Sequence, residues 1–144
     1  MTNSDLERMV DTSDEWIIKR TGISERRIID KETPIYTLAV EAARQAIEDS
    51  GISPEQIDLI LVSTTTPDYL TPSTSCIIQK ETGAVNAAAF DVMAACSGFI
   101  YGITIAKQFI ETGYYRHVLM VSSEGMTKAV DWKDRKNCVL FGDG

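Results

Sequence analysis

Apolar residues recur with a helical spacing in several segments of the chain. Residues 36–50 place apolar side chains three and four positions apart, and Gly51 follows directly, so we expect an amphipathic helix of about four turns that ends at this glycine. A shorter helix is predicted from Ser13, which is followed by two acidic residues suited to a first turn, to about Gly22. The stripe predicted to face the core in the 36–50 helix consists of Leu38, Ala42, Ala46 and Ile47.

Short, almost continuous apolar runs alternate with the helical segments. Residues 57–63, 87–92 and 117–123 are such runs, which are typical of strands buried on both faces of a parallel sheet. A further run at 138–141 is interpreted as a fourth strand. The order of strands and helices predicts an α/β fold built on a parallel sheet. The intervening helices are expected at 73–82 and 97–112.

The segment 97–112 is apolar around most of its helical circumference. Such a helix is expected inside the protein rather than on its surface. It also contains Gly98 and Gly102, which lower helix propensity and are tolerated where another backbone passes close by.

Length and composition narrow the classes of protein. A chain of 144 residues, 44% hydrophobic and 24% charged, fits one packed globular domain and excludes disorder. No apolar run is long enough to span a membrane, and the first residues contain no apolar signal-peptide core. We therefore expect a cytoplasmic protein with no membrane partner. A net charge of −7 disfavours a broad nucleic-acid-binding face.

The positive charges are nevertheless concentrated in two windows, 19–31 and 128–136, and each window lies beside one of the two tryptophans, Trp16 and Trp132. Two solvated loops would explain this pattern. An anionic ligand with an aromatic part, such as a nucleotide-bearing cofactor, would explain it too, because guanidinium groups bind phosphate and flat side chains stack on a base.

Three cysteines and one histidine limit the chemistry. Cys76, Cys96 and Cys138 are odd in number and form no C-x-x-C pair, and His117 is the only histidine. Neither a disulfide framework nor a metal site is suggested.

Cys96 is the candidate nucleophile. It lies between the end of a predicted strand and the start of a predicted helix. Its neighbours are small: Ala94, Ala95, Ser97 and Gly98. The positive end of the helix dipole favours a thiolate there, and the backbone N–H of Cys96 is a candidate oxyanion donor. A free cysteine among alanines is also an ordinary small core residue, and the spacing alone does not decide between the two interpretations.

Three stretches follow one another along nearly the whole chain: DTSDEWIIKRTGISERR at 11–27, FDVMAACSGFIYG at 90–102 and DWKDRKNCVLFGDG at 131–144. Together they resemble the N-terminal half of β-ketoacyl-acyl carrier protein synthase III, an initiating condensing enzyme of the thiolase superfamily. The resemblance implies a thiolase-like layered αβαβα fold, of which residues 1–144 form an incomplete N-terminal half-domain without the C-terminal half.

The resemblance also implies roles for individual residues. Cys96 matches the nucleophile that takes an acyl group from acyl-coenzyme A before condensation with malonyl-acyl carrier protein. Trp16 and Arg135 match the pair that sandwiches the coenzyme A adenine, and Thr12 and Arg20 match positions that line the same groove. Coenzyme A thioester is then a substrate, and no covalently bound cofactor and no metal are expected. The other basic residues stay interpreted as solvated: Lys128, Lys133, Lys136, Arg26 and Arg27.

Thr71 matches a position that shapes the acyl pocket across a homodimer interface. Many relatives carry a bulky aromatic residue there, so threonine predicts tolerance of longer or branched acyl primers.

The function implied is a fatty-acid-initiating acyltransferase of lipid metabolism. The resemblance places the histidine and asparagine of the condensation step in the C-terminal half, so we expect these residues alone to be inactive in condensation. A half-molecule would also expose the apolar face of residues 97–112, which favours dimers or larger assemblies. Two alternatives stay open: a non-catalytic module that binds coenzyme A or carrier protein, and a related condensing enzyme that makes polyketide, quinolone or hydroxymethylglutaryl precursors.

Overall fold

A computed structural model describes residues 1–144, which divide into two compact units. We call residues Pro34–Glu124 the sheet unit, and Met1–Thr33 with Gly125–Gly144 the terminal unit. The assignment of residues 1–144 to one half-domain stays a prediction. The helices are α1 Asn3–Glu7, α2 Asp14–Thr21, α3 Tyr36–Ser50, α4 Thr74–Thr82, α5 Gly98–Glu111 and α6 Arg135–Cys138, and the strands are β1 Leu59–Ser63, β2 Ala88–Val92 and β3 Val118–Ser122.

The sheet unit is built on a three-stranded parallel sheet in the order β2-β1-β3. Every residue of the central strand β1 is buried. Ile60 and Val62 pack in a cluster with residues of α3 and α4, whereas Leu59 and Leu61 pack with α5. Because alternate residues of a strand face opposite sides, burial on both faces explains the continuous apolar run that predicted this strand.

Both edge strands are less buried than the sequence suggested. β2 is exposed or half-buried along its length, and β3 is buried only at Leu119 and Val121. Each of them is paired on one side only, so the prediction of strands buried on both faces holds for β1 and is wrong for the other two.

The predicted helix ends are confirmed where glycine follows the helix. α2, α3 and α4 end at Gly22, Gly51 and Gly83, each with a positive φ near 70°, a conformation in which glycine carries no steric penalty. The buried stripe of α3 differs from the prediction, however. Ala39, Val40 and Ala43 are the buried residues, whereas Ala42 and Ala46 are exposed.

Carboxylates from elsewhere in the sheet unit bind the first turns of two helices. Asp68 accepts hydrogen bonds from the backbone N–H groups of Ile35 (3.0 Å) and Tyr36 (2.7 Å) at the start of α3. Asp91, in β2, accepts from Thr74 and Ser75 (2.9 Å each) at the start of α4. The unpaired amides and the positive end of each helix favour an anionic acceptor there.

α5 packs against the sheet through its small residues and leaves a large apolar face exposed. Gly98 lies against Ser63, and Gly102 lies against the side chain of Met120. The closest neighbours are thus side chains of β1 and β3, and the backbone that was expected is present only at Gly98, where the Val92 carbonyl oxygen lies 3.6 Å from a Cβ built on the glycine. The apolar residues that α5 exposes are Phe99, Ile100, Tyr101, Ile103 and Ile110, so the expectation of a helix enclosed by the protein is wrong for these 144 residues.

The terminal unit packs its helices around Leu6, Ile17, Cys138 and Val139. The predicted strand at 138–141 is wrong. Its first residue, Cys138, is the last residue of α6, and the next one, Val139, is the C-cap of this helix. The Asp134 side chain accepts from the backbone N–H of Lys136 at 2.9 Å, and an N-cap of this kind starts a helical turn.

Arg26 corrects a second prediction in this unit. It is 5% exposed, and its guanidinium donates to Asn3 Oδ1 (2.8 Å) and to the carbonyl of Val139 (3.2 Å). Arg26 is therefore part of the buried framework rather than of a solvated face. No helix of the chain combines the length and the apolar character that crossing a membrane requires.

Candidate active site

Cys96 occupies a tight turn between β2 and α5. A 3-10 turn spans Ala95–Ser97, and α5 begins at Gly98. The backbone N–H of Ser97 donates to the carbonyl of Ala94 at 3.1 Å. Cys96 is exposed and forms no disulfide. The structure thus places the thiol in solvent at the start of a 14-residue helix, which agrees with a nucleophile better than with a buried core residue.

The backbone next to Cys96 is strained. Ala95 has a φ of 47° and is the only residue other than glycine with a positive φ. This left-handed conformation costs a residue with a Cβ about 1–2 kcal/mol. Strain of this kind occurs often at catalytic residues, because the surrounding structure holds a side chain in a direction that an unstrained turn does not give.

Two neighbours fix this turn from the sheet side. Gly98 allows α5 to approach Ser63 so closely that a Cβ built on it would lie 2.0 Å from Ser63 Oγ. At the end of β2, Asp91 is held by the first turn of α4. The end of one strand and the start of the next helix are therefore both anchored, and Cys96 lies between them.

In the terminal unit, two guanidinium groups lie against one tryptophan. The Cζ atoms of Arg20 and Arg135 are 4.6 and 4.9 Å from the centroid of the Trp16 ring, within the range of a cation–π contact. Arg20 and Trp16 share α2, whose N-cap Ser13 accepts from the backbone N–H of Trp16 at 3.1 Å. Three of the predicted binding residues are therefore brought together.

Arg135 reaches this cluster from α6 and is held by a main-chain acceptor. Its Nη1 donates to the carbonyl of Asp11 at 2.8 Å. Next in the chain is Thr12, whose Oγ1 is buried and makes no hydrogen bond. A flat base between two planar groups needs about 7 Å, since each van der Waals contact takes about 3.5 Å. The Trp16 and Arg135 groups are closer than that, so a base enters between them only if Arg135 moves.

Thr71 lies in the loop between β1 and α4. It is exposed and precedes Pro72 through a cis peptide bond. Its neighbours Tyr69 and Leu70 are exposed as well, Leu70 at 89%. The loop thus presents an apolar surface, and Thr71 has a smaller side chain than its exposed neighbours Tyr69 and Leu70.

Cys138 and the histidine have structural surroundings. Cys138 is buried, and its burial raises the pKa of its thiol. His117 Nδ1 lies 3.0 Å from the carbonyl of Gln56, and its backbone N–H donates to Asp58. No group of three or more His, Cys, Asp or Glu side chains is arranged to hold a metal ion.

One polar cluster was not predicted from the sequence. Glu124 follows β3, and its carboxylate accepts hydrogen bonds from the backbone and hydroxyl of Thr65 (2.8 and 3.0 Å) and from the hydroxyl of Thr66 (2.7 Å). The Thr-rich loop after β1 indicated hydroxyl donors, but nothing in the local sequence pointed to an acceptor 58 residues away.

Comparison with known proteins gives a consistent result. Residues 90–144 match the model of the family described as 3-oxoacyl-[acyl-carrier-protein (ACP)] synthase III. Over 144 residues the chain is 58% identical to a beta-ketoacyl-[acyl-carrier-protein] synthase III of Caldanaerobacter subterraneus, and 57% identical to one of Bacillus anthracis. These alignments cover all of this chain, but only 44% and 46% of the two relatives.

Solved structures agree with the sequence matches. A 3-oxoacyl-[acyl-carrier-protein] synthase III from Aquifex aeolicus superposes with a TM-score of 0.95 at 52% identity, covering 99% of this chain and 46% of that one. The priming beta-ketosynthase of the R1128 polyketide pathway also gives a TM-score of 0.95, at 44% identity over all of this chain and 43% of that one. The chain therefore has a thiolase-like α/β fold and resembles the N-terminal half of a β-ketoacyl-acyl carrier protein synthase III.

Proposed function

We propose that Cys96 is the acyl-accepting nucleophile of a β-ketoacyl-acyl carrier protein synthase III that initiates fatty-acid synthesis. The observation that carries this proposal is the exposed thiol at the start of α5, directly after the strained Ala95. The names of the relatives support a condensing enzyme of this class. Acyl-coenzyme A and malonyl-acyl carrier protein are the substrates proposed for the whole enzyme, and a homodimer is its proposed assembly.

The first step is acyl transfer to sulfur. Cys96 Sγ attacks the thioester carbonyl of acyl-coenzyme A, a new carbon–sulfur bond forms, and the old one breaks. Coenzyme A leaves as the thiol with the proton that Cys96 gives up. The developing oxyanion is favoured by backbone N–H groups at a helix start, and the N–H of Cys96 is the proposed donor.

In the second step, loss of carbon dioxide from malonyl-acyl carrier protein leaves a carbanion. The carbanion attacks the acyl carbonyl on Cys96 and releases the thiolate. The resemblance assigns activation of the malonyl thioester to a histidine and an asparagine in the C-terminal half of such enzymes. The only histidine within residues 1–144, His117, contacts the Gln56 carbonyl. We therefore propose that residues 1–144 take up an acyl group but do not condense it.

The nucleotide end of coenzyme A is assigned to Trp16, Arg20, Arg135 and Thr12. Two guanidinium groups beside an indole ring supply both a stacking surface and charge for phosphate. The buried Thr12 hydroxyl without a partner is an acceptor and donor that a ligand can satisfy. Coenzyme A is thus a substrate here rather than a resident cofactor.

The proposal is tested by mass spectrometry after incubation with acetyl-coenzyme A. We expect one acetyl group, on the peptide that contains Cys96, and none in a Cys96→Ala variant. Cys76→Ala is the matched control, since Cys76 is half-buried at the start of α4, and this variant should be acetylated like the parent. An adduct that persists in Cys96→Ala contradicts the assignment.

A non-catalytic binding module is the second candidate. It is favoured by the guanidinium–indole cluster, which lies wholly in the terminal unit and is independent of the Cys96 turn. Binding of coenzyme A that survives Cys96→Ala, together with no acetyl adduct in the parent, would support this candidate over the enzyme.

Thr71 is proposed to set acyl-primer selectivity. Its side chain is small and lies in an exposed loop beside Leu70. We expect Cys96 to accept branched four- and five-carbon acyl-coenzyme A at rates comparable to acetyl-coenzyme A. Thr71→Phe should lower the rate for the branched substrates selectively, because a bulkier side chain leaves less room. Thr71→Ser is the control, because it keeps a small side chain at the same position. A parent restricted to acetyl groups would contradict the proposal.

A further inference from the structure

A buried polar network in the terminal unit connects the two helices that carry the guanidinium–indole cluster. Asn3 is 1% exposed, and its Nδ2 donates to Asp14 Oδ1 and to the carbonyl of Ile23, both at 2.8 Å. Asp14 is the first residue of α2, and Ile23 follows the glycine that ends this helix. Asn3 therefore holds both ends of the helix on which Trp16 and Arg20 lie.

Arg26 continues the network to α6. Its Nη2 donates to Asn3 Oδ1 at 2.8 Å and to the carbonyl of Val139 at 3.2 Å. Val139 is the C-cap of α6, the helix that begins with Arg135. A continuous path of hydrogen bonds thus runs from α2 through two buried side chains to the end of α6.

The surroundings of Arg26 show that its charge is costly. Its acceptors are an amide oxygen and main-chain carbonyls, including that of Met1 at 3.4 Å, and its Nε is buried without a partner. Burial lowers the pKa of the guanidinium. A buried charged side chain is weak evidence of a contribution to the free energy of folding, because well-packed apolar residues in its place often stabilise a protein equally well. What arginine supplies is a rigid planar group whose Nη2 donates to both Asn3 Oδ1 and the Val139 carbonyl and so fixes these two acceptors at defined positions.

We propose that Asn3 and Arg26 are positioning residues: they fix α2 relative to the end of α6, so that the Arg135 guanidinium lies against the Trp16 ring. The inference rests on the proposed function only in its statement that this cluster binds the nucleotide end of coenzyme A. The geometric part stands on the contacts of the terminal unit alone.

The neighbouring Arg27 provides a matched control. Its side chain is 83% exposed and pairs with Glu25 at 3.1 Å. Arg26→Lys and Arg27→Lys are the same chemical change at adjacent positions. Only the first removes the guanidinium nitrogen that donates to both Asn3 and Val139.

A first experiment needs no ligand. In a Trp132→Phe background, tryptophan emission comes from Trp16 alone, and acrylamide quenching of this emission reports how far the Trp16 ring is covered. We expect Arg26→Lys to raise the quenching constant, while Arg27→Lys leaves it unchanged, in samples whose far-ultraviolet circular dichroism matches the parent. Equal quenching in all three proteins would overturn the proposal.

A second variant pair separates positioning from simple destabilisation and also serves if Arg26→Lys does not fold. Asn3→Asp keeps an acceptor for Arg26 but loses the donors to Asp14 and to the Ile23 carbonyl, and it places two carboxylates together. Adding Asp14→Asn restores the hydrogen bond between positions 3 and 14, with the amide now at position 14 as donor and the carboxylate at position 3 as acceptor, whereas the bond to the Ile23 carbonyl stays lost. We expect quenching to rise in the single variant and to return towards the parent in the double variant. Absence of that rescue counts against the network.

The second experiment connects the network to the substrate. Acetyl transfer to Cys96 is measured from acetyl-coenzyme A and from S-acetyl-N-acetylcysteamine, which carries the same thioester without a nucleotide. Arg26→Lys should lower the rate constant for acetyl-coenzyme A by up to about a hundredfold, the loss that a misplacement of about 1 Å can cause, and leave the rate constant for the small thioester unchanged. Equal losses with both thioesters would overturn the link to the nucleotide. A parent that reacts equally with the two thioesters would refute the assignment of the nucleotide to this cluster, and a parent that takes up no acetyl group would refute the proposed function. In both cases the quenching result would still decide the positioning role.

Discussion

Gly98, the first residue of α5, is the point where the helix after Cys96 approaches the central strand most closely. A Cβ there would lie 2.0 Å from Ser63 Oγ and 3.1 Å from Ser63 Cβ. At Gly102, one turn later, a Cβ would meet only the far end of the flexible Met120 side chain. A side chain is therefore expected to be tolerated at Gly102 but not at Gly98.

We predict that Gly98→Ala lowers the free energy of unfolding by about 1–3 kcal/mol, because overpacking against β1 exceeds the gain of ~1 kcal/mol in helix propensity. Gly102→Ala should be nearly neutral. Urea unfolding followed by circular dichroism measures both changes. Combining Gly98→Ala with Ser63→Ala should recover part of the loss, and a double variant no more stable than Gly98→Ala would argue against the contact with Ser63 Oγ.

Single residues also show what the sequence can and cannot predict about the site. The turn that carries Cys96 was predictable, because small residues between a strand pattern and a helix pattern indicate such a turn. The burial of Arg26 was not predictable, since a run of basic residues normally indicates a solvated face, and its acceptor Val139 lies 113 residues away. The 4.9 Å between Arg135 and Trp16 likewise depends on tertiary structure alone.

At the scale of elements, Asp58 ties the starts of two strands together. Its Oδ2 accepts from the backbone N–H groups of Arg116 (2.8 Å) and His117 (3.0 Å), and its own N–H donates to the carbonyl of His117. Asp58 precedes β1, and His117 precedes β3. The hydrogen bonds from the backbone of His117 and then of Arg116 hold the pKa of the carboxyl below its ordinary value of 3.8.

This shift predicts a pH dependence of stability. A pKa that is lower in the folded state means that the contribution of Asp58 is present above the unfolded pKa and is lost as pH falls through the folded pKa. Asp58→Asn should therefore lower the urea midpoint at pH 7 and make its decline below about pH 4 less steep. Asp49→Asn, at an exposed position on α3, is the control. Parallel pH profiles for Asp58→Asn and the parent would refute the role of this carboxylate.

Helices and strands were predictable to different degrees. Glycines after α2, α3 and α4 fixed three helix ends, because a left-handed residue stops a helix regardless of what packs on it. The buried face of α3 was missed, since alanines lie on several sides of this helix and hydrophobicity alone does not choose among them. The segment after α6 was misread because a four-residue apolar run fits a strand or a buried helical turn equally well. The alternation of strands and helices along the chain predicted a parallel sheet, but it did not predict the strand order β2-β1-β3.

At the scale of the molecule, the exposed face of α5 is the largest departure from an ordinary globular surface. Phe99, Ile100 and Ile103 lie close together on the helix, with Ile110 further along. Contiguous apolar patches of this kind promote association. The chain is therefore expected to form dimers or larger assemblies in solution.

Ile100→Lys should shift the chain towards the monomer, because Ile100 is 63% exposed and a charge in its place opposes burial in an interface. Size-exclusion chromatography with light scattering measures the mass as a function of concentration. Gln45→Lys adds the same charge at an exposed position on α3 and should leave the assembly unchanged. A monomeric parent, or equal masses for both variants, contradicts this expectation.

The strained backbone at Ala95 has a consequence for protein engineering. Glycine accepts a φ of 47° without the penalty that alanine carries, so a selection for heat resistance alone would favour Ala95→Gly. The same replacement removes the steric limits that hold the adjacent turn in one shape. Libraries screened for melting temperature are therefore expected to enrich a substitution that loosens the nucleophile, and screening for acyl uptake alongside would retain alanine.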